Sequence, residues 1–327
     1  MKLIGLDVGG TKLECCIIEV SGEGTHPIMV KPSKKASFSI LARKRCPTER
    51  EKGYEHILNA ITELSLDTLK EANLNISDIS GVGVVLPGTV DPVTGQFVLG
   101  NTNSFAGKSL QSDLKASLEF SKEVSVANDA NCFVLSEAIC GAGLDFLEST
   151  EKPFKTLSIL GVILGTGCGG GYFSRGKIIT GAFGGAIEIG HSLLKSNGRS
   201  CYCGSRGCAE TYVSGTGLQN TYQEVAVTSE VVEGSEIFRM AEAGDLNSKK
   251  TLELYKGDLS LFLGNVSTIL DPDLIILGGG VSEEKSIYNG LEERVSENTF
   301  LKDKDRAIRS SKFGGSSGVL GAAFLNL

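Results

Sequence analysis

Each half of this 327-residue chain opens with the same unusual pattern: an apolar run, a glycine turn, and a second strand-like run. In the first half, residues 2–8 lead through Gly9 and Gly10 into Lys12 to Val20. In the second, Thr156 to Leu164 leads through Gly165-Thr166-Gly167-Cys168-Gly169-Gly170 into Gly171 to Ser174. Runs of this length bounded by glycine read as β-hairpins. After each hairpin the apolar spacing alternates between strand and helix periods. Ile57, Leu58, Ile61, Leu64 and Leu69 mark a helix over 54–72, residues 80–86 a buried strand ending at Pro87-Gly88, and 123–127 a strand feeding a helix near Asn128. The second half supplies helices across 234–270, a strand at Leu274 to Leu277 that ends in Gly278-Gly279-Gly280, and a small apolar terminal helix at Gly318 to Leu325. A hairpin that twice opens a sheet-and-helix unit predicts a duplicated α/β architecture with a cleft between its halves.

Charge and composition remove several function classes. The net charge is −7 with no compensating basic stripe, which argues against a nucleic-acid partner. MKLIGLDVGG carries Asp7 in the middle of its only apolar run, so it does not read as a signal peptide. The apolar stretch near Leu157 to Leu164 is far too short to cross a bilayer. Nine cysteines without a secretory signal point to reduced thiols or metal ligation in a cytoplasmic setting. The 42 glycines gather at 81–107, 161–185, 198–217 and 278–280, as working loops do.

Four motifs carry chemistry. In Asp7-Val8-Gly9-Gly10-Thr11-Lys12, glycines let successive N–H groups approach phosphate oxygens, and Asp7 stands where a carboxylate holds the water shell of a Mg²⁺ ion. An ordinary hairpin turn would look much the same, and the motif is not a Walker loop. The Gly165–Gly171 turn offers the same amides plus the Thr166 hydroxyl, and two such turns can clasp one polyphosphate. Ala127-Asn128-Asp129-Ala130-Asn131 sits where a strand becomes a helix; Asn128 suits an N-cap, and Asp129 suits a base that takes the proton of an attacking hydroxyl.

The fourth motif is His191 with Cys201, Cys203 and Cys208. One imidazole and three thiolates at this spacing make a closed tetrahedral set, which is the signature of a structural zinc site rather than a hydrolytic one. Glu188 and Glu210 flank it. Surface acids are their ordinary reading, yet carboxylates tied to a metal-locked loop are rigid acceptors for sugar hydroxyls, and the second nitrogen of His191 is a further candidate.

DVGGTK at 7–12, ANDAN at 127–131, LGTGCGGG at 164–171, the E-x-G-H of Glu188 to His191, CYCGSRGCAE at 201–210 and DPDLIILGGG at 271–280 together resemble the ROK family of repressors and sugar kinases. The resemblance spans nearly the whole chain in the family's motif order. It implies a two-domain actin-like (ribonuclease H-like) ATPase fold, with residues 1–125 plus the terminal segment 311–327 in one domain and 126–310, carrying the zinc loop, in the other. It implies ATP, Mg²⁺ and a structural Zn²⁺ as cofactors, a hexose as the other small-molecule partner, and the homodimer habitual in the family. By resemblance, Asp129 is the catalytic base, and Asn128, Asp129, Glu188, His191 and Glu210 contact the sugar, with Asn101 of NTNSFAGK on the same side. Asp7, Gly9, Gly10, Thr11, Lys12, Gly165, Thr166, Gly167 and Gly279 form the nucleotide side. His191, Cys201, Cys203 and Cys208 hold the metal.

The expected activity is therefore phosphorylation of a hexose at a primary hydroxyl, O6. The look of 126–137 and of AETYVSGTG ranks fructose first and glucose or mannose next, with N-acetylglucosamine or N-acetylmannosamine as the alternative. A sugar-sensing regulator is disfavoured because the first hairpin begins within ten residues of Met1, leaving no place there for a helix-turn-helix domain. Two departures stand out: the segment between Val20 and Pro47 is long for the family, and Ile187 occupies a position where related kinases commonly carry glycine.

Overall fold

The computed structural model describes residues 1–21, 37–91, 94–100, 105–150, 152–302 and 306–327. Asn101 and the basic stretch Lys31 to Lys35 lie outside them. In chain order the elements are β1 (Lys2–Val8), β2 (Lys12–Ser21), β3 (Ser37–Pro47), α1 (Tyr54–Glu71), β4 (Gly81–Leu86), β5 (Gly88–Val90), β6 (Phe97–Gly100), α2 (Leu110–Ser117), β7 (Val124–Asn128), α3 (Asp129–Cys140) and α4 (Ala142–Thr150). Then come β8 (Ser158–Leu164), β9 (Cys168–Ser174), β10 (Lys177–Ile178), α5 (Glu210–Val213), α6 (Gly215–Ala226), α7 (Gly234–Glu242), α8 (Leu246–Leu270), β11 (Leu274–Gly278), α9 (Leu291–Glu297), β12 (Ala307–Ser310) and α10 (Ser317–Phe324).

Two compact units emerge. The first comprises 1–157, 173–186 and 315–327, and the second 158–172 and 187–314. The boundary expected from the sequence, 125/126, thus differs from the observed break at Leu157/Ser158. The run Asp129–Thr150 belongs to the first unit, and α3 at its start is buried from Ala130 to Ile139. By composition and length alone that run passes for a membrane span, but 78% of its most apolar 18-residue window is buried inside the molecule, as in a core helix.

In the first unit the sheet order is β3-β2-β1-β4-β7. β1 and β2 form the antiparallel hairpin, with Asp7 opposite Glu14, while β1, β4 and β7 run parallel. β4, GVGVVL, is buried at every position, as a central parallel strand must be. Its glycines have a second cause. A Cβ on Gly83 would stand 1.8 Å from the carbonyl oxygen of Ala322, and one on Gly5 2.1 Å from that of Val319. The small-residue helix α10 therefore lies directly on the sheet backbone. On the other side, α1 presents Ile57, Ile61 and Leu64 to the same core as Ile4, Leu6 and Val84.

The second sheet has the order β10-β9-β8-β11-β12, with β8, β11 and β12 parallel. Tyr255, Phe262 and Leu263 of α8 join Leu160, Val162, Ile275 and Leu277 in its core. Two details differ from the sequence expectation. β9 begins at Cys168, so the glycine turn shrinks to Gly165–Gly167 and Cys168, Gly169 and Gly170 are strand residues. Helices α5 and α6 occupy 210–226, just beyond the cysteine loop, where no periodic pattern announces them.

Candidate active site

In the first unit, the phosphate-type turn is a tight loop fixed from both sides. Gly9 donates its N–H to Lys12 O at 3.0 Å, and a Cβ there would meet that oxygen at 2.9 Å, so only glycine fits. Thr48, which no sequence motif flags, clamps the loop: its Oγ1 donates to Gly9 O at 2.6 Å and its N–H to Thr11 O at 3.1 Å. Thr11 and Lys12 stay exposed. The pKa of Asp7, at the end of β1, is pushed up to about 6 by burial first and then by the negative charge of Glu14, with Asp129 adding to it. A divalent cation would reverse that shift, since it favours the ionised carboxylate.

Glu14 is only 1% exposed. Burial alone would raise its pKa, but hydrogen bonds from Arg45 and Arg43 overcome that and hold it below the usual range. Arg45 Nε donates to Glu14 Oε2 at 2.7 Å, Arg43 Nε to Oε1, and Lys12 Nζ lies 3.6 Å away. The two arginines alternate on β3, which β2 pairs directly, so both reach the same carboxylate.

Asn128 caps the helix as the sequence suggests. Asn128 Oδ1 accepts the N–H of Asn131 at 2.8 Å, capping α3. Asp129 occupies the first helical position; its Oδ1 accepts the N–H of Ala130 at 2.9 Å. The residue is exposed as a whole, yet its carboxyl is surrounded by enough protein that desolvation raises its pKa against the pull of the Ala130 and Asp129 N–H groups. A cavity of about 600 Å³ runs along β7 between β5 and α2; Thr89, Lys115, Ser125, Asn128 and Asn131 are among its lining residues, and Asp129 is not. Asn131 is 4% exposed, and among the described residues its side-chain oxygen has no hydrogen-bond partner. An orphaned acceptor lining a cavity is a place for a ligand or water donor.

The second unit holds the remaining residues. The turn Gly165–Gly167 is bracketed by glycines: Gly279, with φ +82°, lies so close that a Cβ would be 2.5 Å from the carbonyl of Leu164, and Gly215 N–H donates to Gly165 O at 2.7 Å. Thr166 is exposed at the tip. Glu188 is exposed, and Ile187 before it adopts φ +65°, a strained value for a β-branched residue. Glycine adopts that conformation without strain.

His191, Cys201, Cys203 and Cys208 come together with all four ligand atoms within 4.8 Å of one another. Cys201 Sγ lies 3.6 Å from His191 Nδ1, and Cys203 Sγ 3.7 Å from Cys208 Sγ. Those separations are the edges of a tetrahedron with bonds of ~2.0–2.3 Å, so the donor set fits a zinc ion. A hydrogen bond from the Ser205 N–H holds the pKa of the Cys203 thiol down to about 6, already favouring thiolate. His191 Nδ1 faces the sulfurs, and Nε2 lies 3.1 Å from the Tyr202 hydroxyl, an exposed partner that no motif flags. Arg199 anchors the loop from below: it donates to Thr211 O at 2.6 Å and Thr221 Oγ1 at 2.9 Å, pairs with Glu224, and stacks over Tyr212. Glu210 leaves this loop and reaches the phosphate-type turn, accepting the Cys168 N–H at 2.9 Å.

Comparison with known proteins agrees with this geometry. The ROK family profile matches residues 3–327. N-acetyl-D-glucosamine kinase of Citrobacter koseri is 33% identical over 333 aligned residues, covering 99% of this chain and 98% of that one. The ROK hexokinase of Thermus thermophilus superposes with a TM-score of 0.81 at 26% identity, covering 99% of this chain and 97% of that one. A ROK glucokinase of Streptomyces griseus, solved with glucose and AMPPNP, shares the fold at a TM-score of 0.69 and 23% identity, with 99% of each chain covered. The architecture is thus the actin-like one that the motif resemblance implied. Matched end to end by the family profile and by curated sugar kinases, and carrying both glycine turns, the aspartate at a helix start and the His-Cys cluster, the chain belongs to the ROK family as a sugar kinase.

Proposed function

We propose that this enzyme transfers the γ-phosphoryl group of ATP to the primary hydroxyl, O6, of an N-acetylhexosamine. The observation that carries the reading is Asp129: a carboxylate at the first position of α3 whose pKa is raised by burial, which makes it a better proton acceptor than a free carboxylate. In this reading the two glycine turns and Mg²⁺, whose water shell Asp7 would hold, stabilise the charge on the phosphoryl group. Gly9 to Lys12, Gly165 to Gly167 and Gly279 serve the nucleotide. Asn128, Glu188, His191 and Glu210 serve the sugar, with Asn101 assigned to the same role on resemblance alone. Zinc on His191, Cys201, Cys203 and Cys208 is structural, and the setting is the cytoplasm.

The choice of an N-acetylated sugar replaces the fructose ranking reached from sequence motifs. Two observations support it. The curated relatives at 33% identity are N-acetyl-D-glucosamine kinases. The 600 Å³ cavity beside Asn128 gives room for a substituent larger than a hydroxyl. A coupled ADP-release assay over N-acetylglucosamine, N-acetylmannosamine, glucose, mannose and fructose tests this. The expected result is the highest kcat/KM for an N-acetylhexosamine. A tenfold preference for fructose would refute the sugar assignment, and no turnover on any of the five would refute the kinase reading itself.

A further inference from the structure

Glu210 touches more than the sugar side. It lies two positions after the ligand Cys208, yet its Oε2 accepts the N–H of Cys168, the residue immediately after the phosphate-type turn, at 2.9 Å. A Cβ on Gly167 would lie 2.5 Å from the same oxygen, so the carboxylate is seated flush against the turn. The other end of the turn is bonded to the same stretch of chain, because Gly165 O accepts the Gly215 N–H at 2.7 Å. The segment carrying Glu188 and His191 rests on β9 just beyond. A Cβ on Gly190 would fall 2.0 Å from Cys168 O, and one on Gly170 2.6 Å from Ile189 Cδ1 and 2.8 Å from Ile187 O. Close-packed backbone of this kind shifts as a unit rather than yielding locally.

We infer that Glu210 is a positioning residue that couples the two substrates: its carboxylate fixes the phosphate turn through Cys168, and sugar bound to the same carboxylate tightens nucleotide binding. The inference rests on the reading of Glu210 as a sugar contact and of Gly165–Gly167 as a phosphate turn. A carboxylate has lone pairs enough to serve the Cys168 N–H and a sugar hydroxyl at once. A sugar hydroxyl donating to it orders the side chain that holds the turn, and by linkage nucleotide must then tighten sugar binding by the same factor.

The test is calorimetric titration of Mg²⁺·AMPPNP into the full-length, metal-replete enzyme, with and without saturating N-acetylglucosamine. Wild type is expected to bind nucleotide at least ~5-fold more tightly with sugar present, the lower end of ordinary coupling. Glu210→Gln keeps an acceptor for the Cys168 N–H, so its nucleotide affinity without sugar stays within about threefold of wild type while its sugar affinity falls. Glu210→Ala loses the acceptor; its nucleotide affinity without sugar falls about tenfold, the worth of one charge-assisted hydrogen bond, and the coupling disappears. Zinc content and melting temperature, measured alongside, identify a misfolded variant, and the Gln substitution then decides alone: coupling should weaken in it, and coupling as strong as in wild type overturns the inference. Unchanged nucleotide affinity and coupling in Glu210→Ala, or independent binding of the two substrates in wild type, overturns the inference while leaving the kinase assignment intact. Wild-type protein that binds neither substrate overturns both.

Discussion

Asp7 holds a charge at an energetic loss to the free protein, and its surroundings set the size of that loss. In the unfolded chain its carboxyl ionises near 3.8; in the fold, burial and the neighbouring Glu14 move it to about 6. At ~1.4 kcal/mol per pH unit the difference amounts to a ceiling of about 3 kcal/mol, and partial solvent access brings a realistic value to ~1–3 kcal/mol. The sign is fixed by proton uptake. Between 3.8 and about 6 the folded form binds a proton that the unfolded form has released, so the penalty grows across that window and is constant above it. Asp7→Asn removes the penalty. At pH 7.5 without ligands, the variant is expected to melt ~1–4 °C higher than wild type in differential scanning calorimetry, and the gap should close near pH 4. Adding Mg²⁺ and AMPPNP should reverse the order, because only wild type offers the cation a carboxylate. A variant no more stable than wild type at pH 7.5, or an advantage undiminished at pH 4, would refute the reasoning.

Other perturbations probe separate parts of the molecule. Asp129→Asn is expected to lower kcat by ~10²–10⁴-fold with little change in sugar affinity or melting temperature; retention of more than about a tenth of wild-type turnover counts against its role as base. Because the Asp129 carboxyl is held above its ordinary range, kcat/KM should decline on the acid side at a higher pH than a free carboxyl would give, and a pH–rate profile shows whether it does. Cys203→Ser should release zinc, measured by atomic emission, and weaken sugar binding, since Glu188, His191 and Glu210 depend on that loop. In Gly83→Ala the new methyl would stand 1.8 Å from the Ala322 carbonyl, with backbone and no flexible tip to yield, so soluble expression should collapse.

The features legible in the sequence are those encoded over a few residues. The Asn128 cap, the Gly9–Gly10 turn and the buried run of β4 each depend on neighbours within one element, and each stands where the pattern places it. The His-Cys set is legible for a different reason: the ligand types themselves restrict the geometry. Features made by side chains from separate elements are not. Nothing in the spacing of Glu14, Arg43 and Arg45 announces that one buried carboxylate takes both arginines, because that depends on the register between β2 and β3. The Thr48 clamp, the Tyr202 hydroxyl against His191 and the bond from Cys168 to Glu210 are long-range in the same way. The unit boundary falls elsewhere than expected because α3 is buried along nearly its whole length, a pattern that reveals burial but not what does the burying. The Asn131 oxygen, without a partner among the described residues, has no sequence signal at all.

The seat of α10 on Gly5 and Gly83 has a consequence for how the chain is made. All five described strands of the first sheet have been synthesised once Asn128 emerges, yet the helix that covers their glycine-lined face begins at Ser317. Roughly 190 residues separate the two, an interval of ~10–40 s at ordinary rates of ~5–20 residues per second. Throughout that time the nascent sheet has one apolar face uncovered, while the second unit, whose segments end at Gly314, has everything it needs to close first. The half of the protein that is translated first is therefore the half that finishes folding last. A chain ending at Ser316, held on the ribosome by a flexible linker long enough to clear the exit tunnel, should carry a protease-resistant second unit and a protease-sensitive first one.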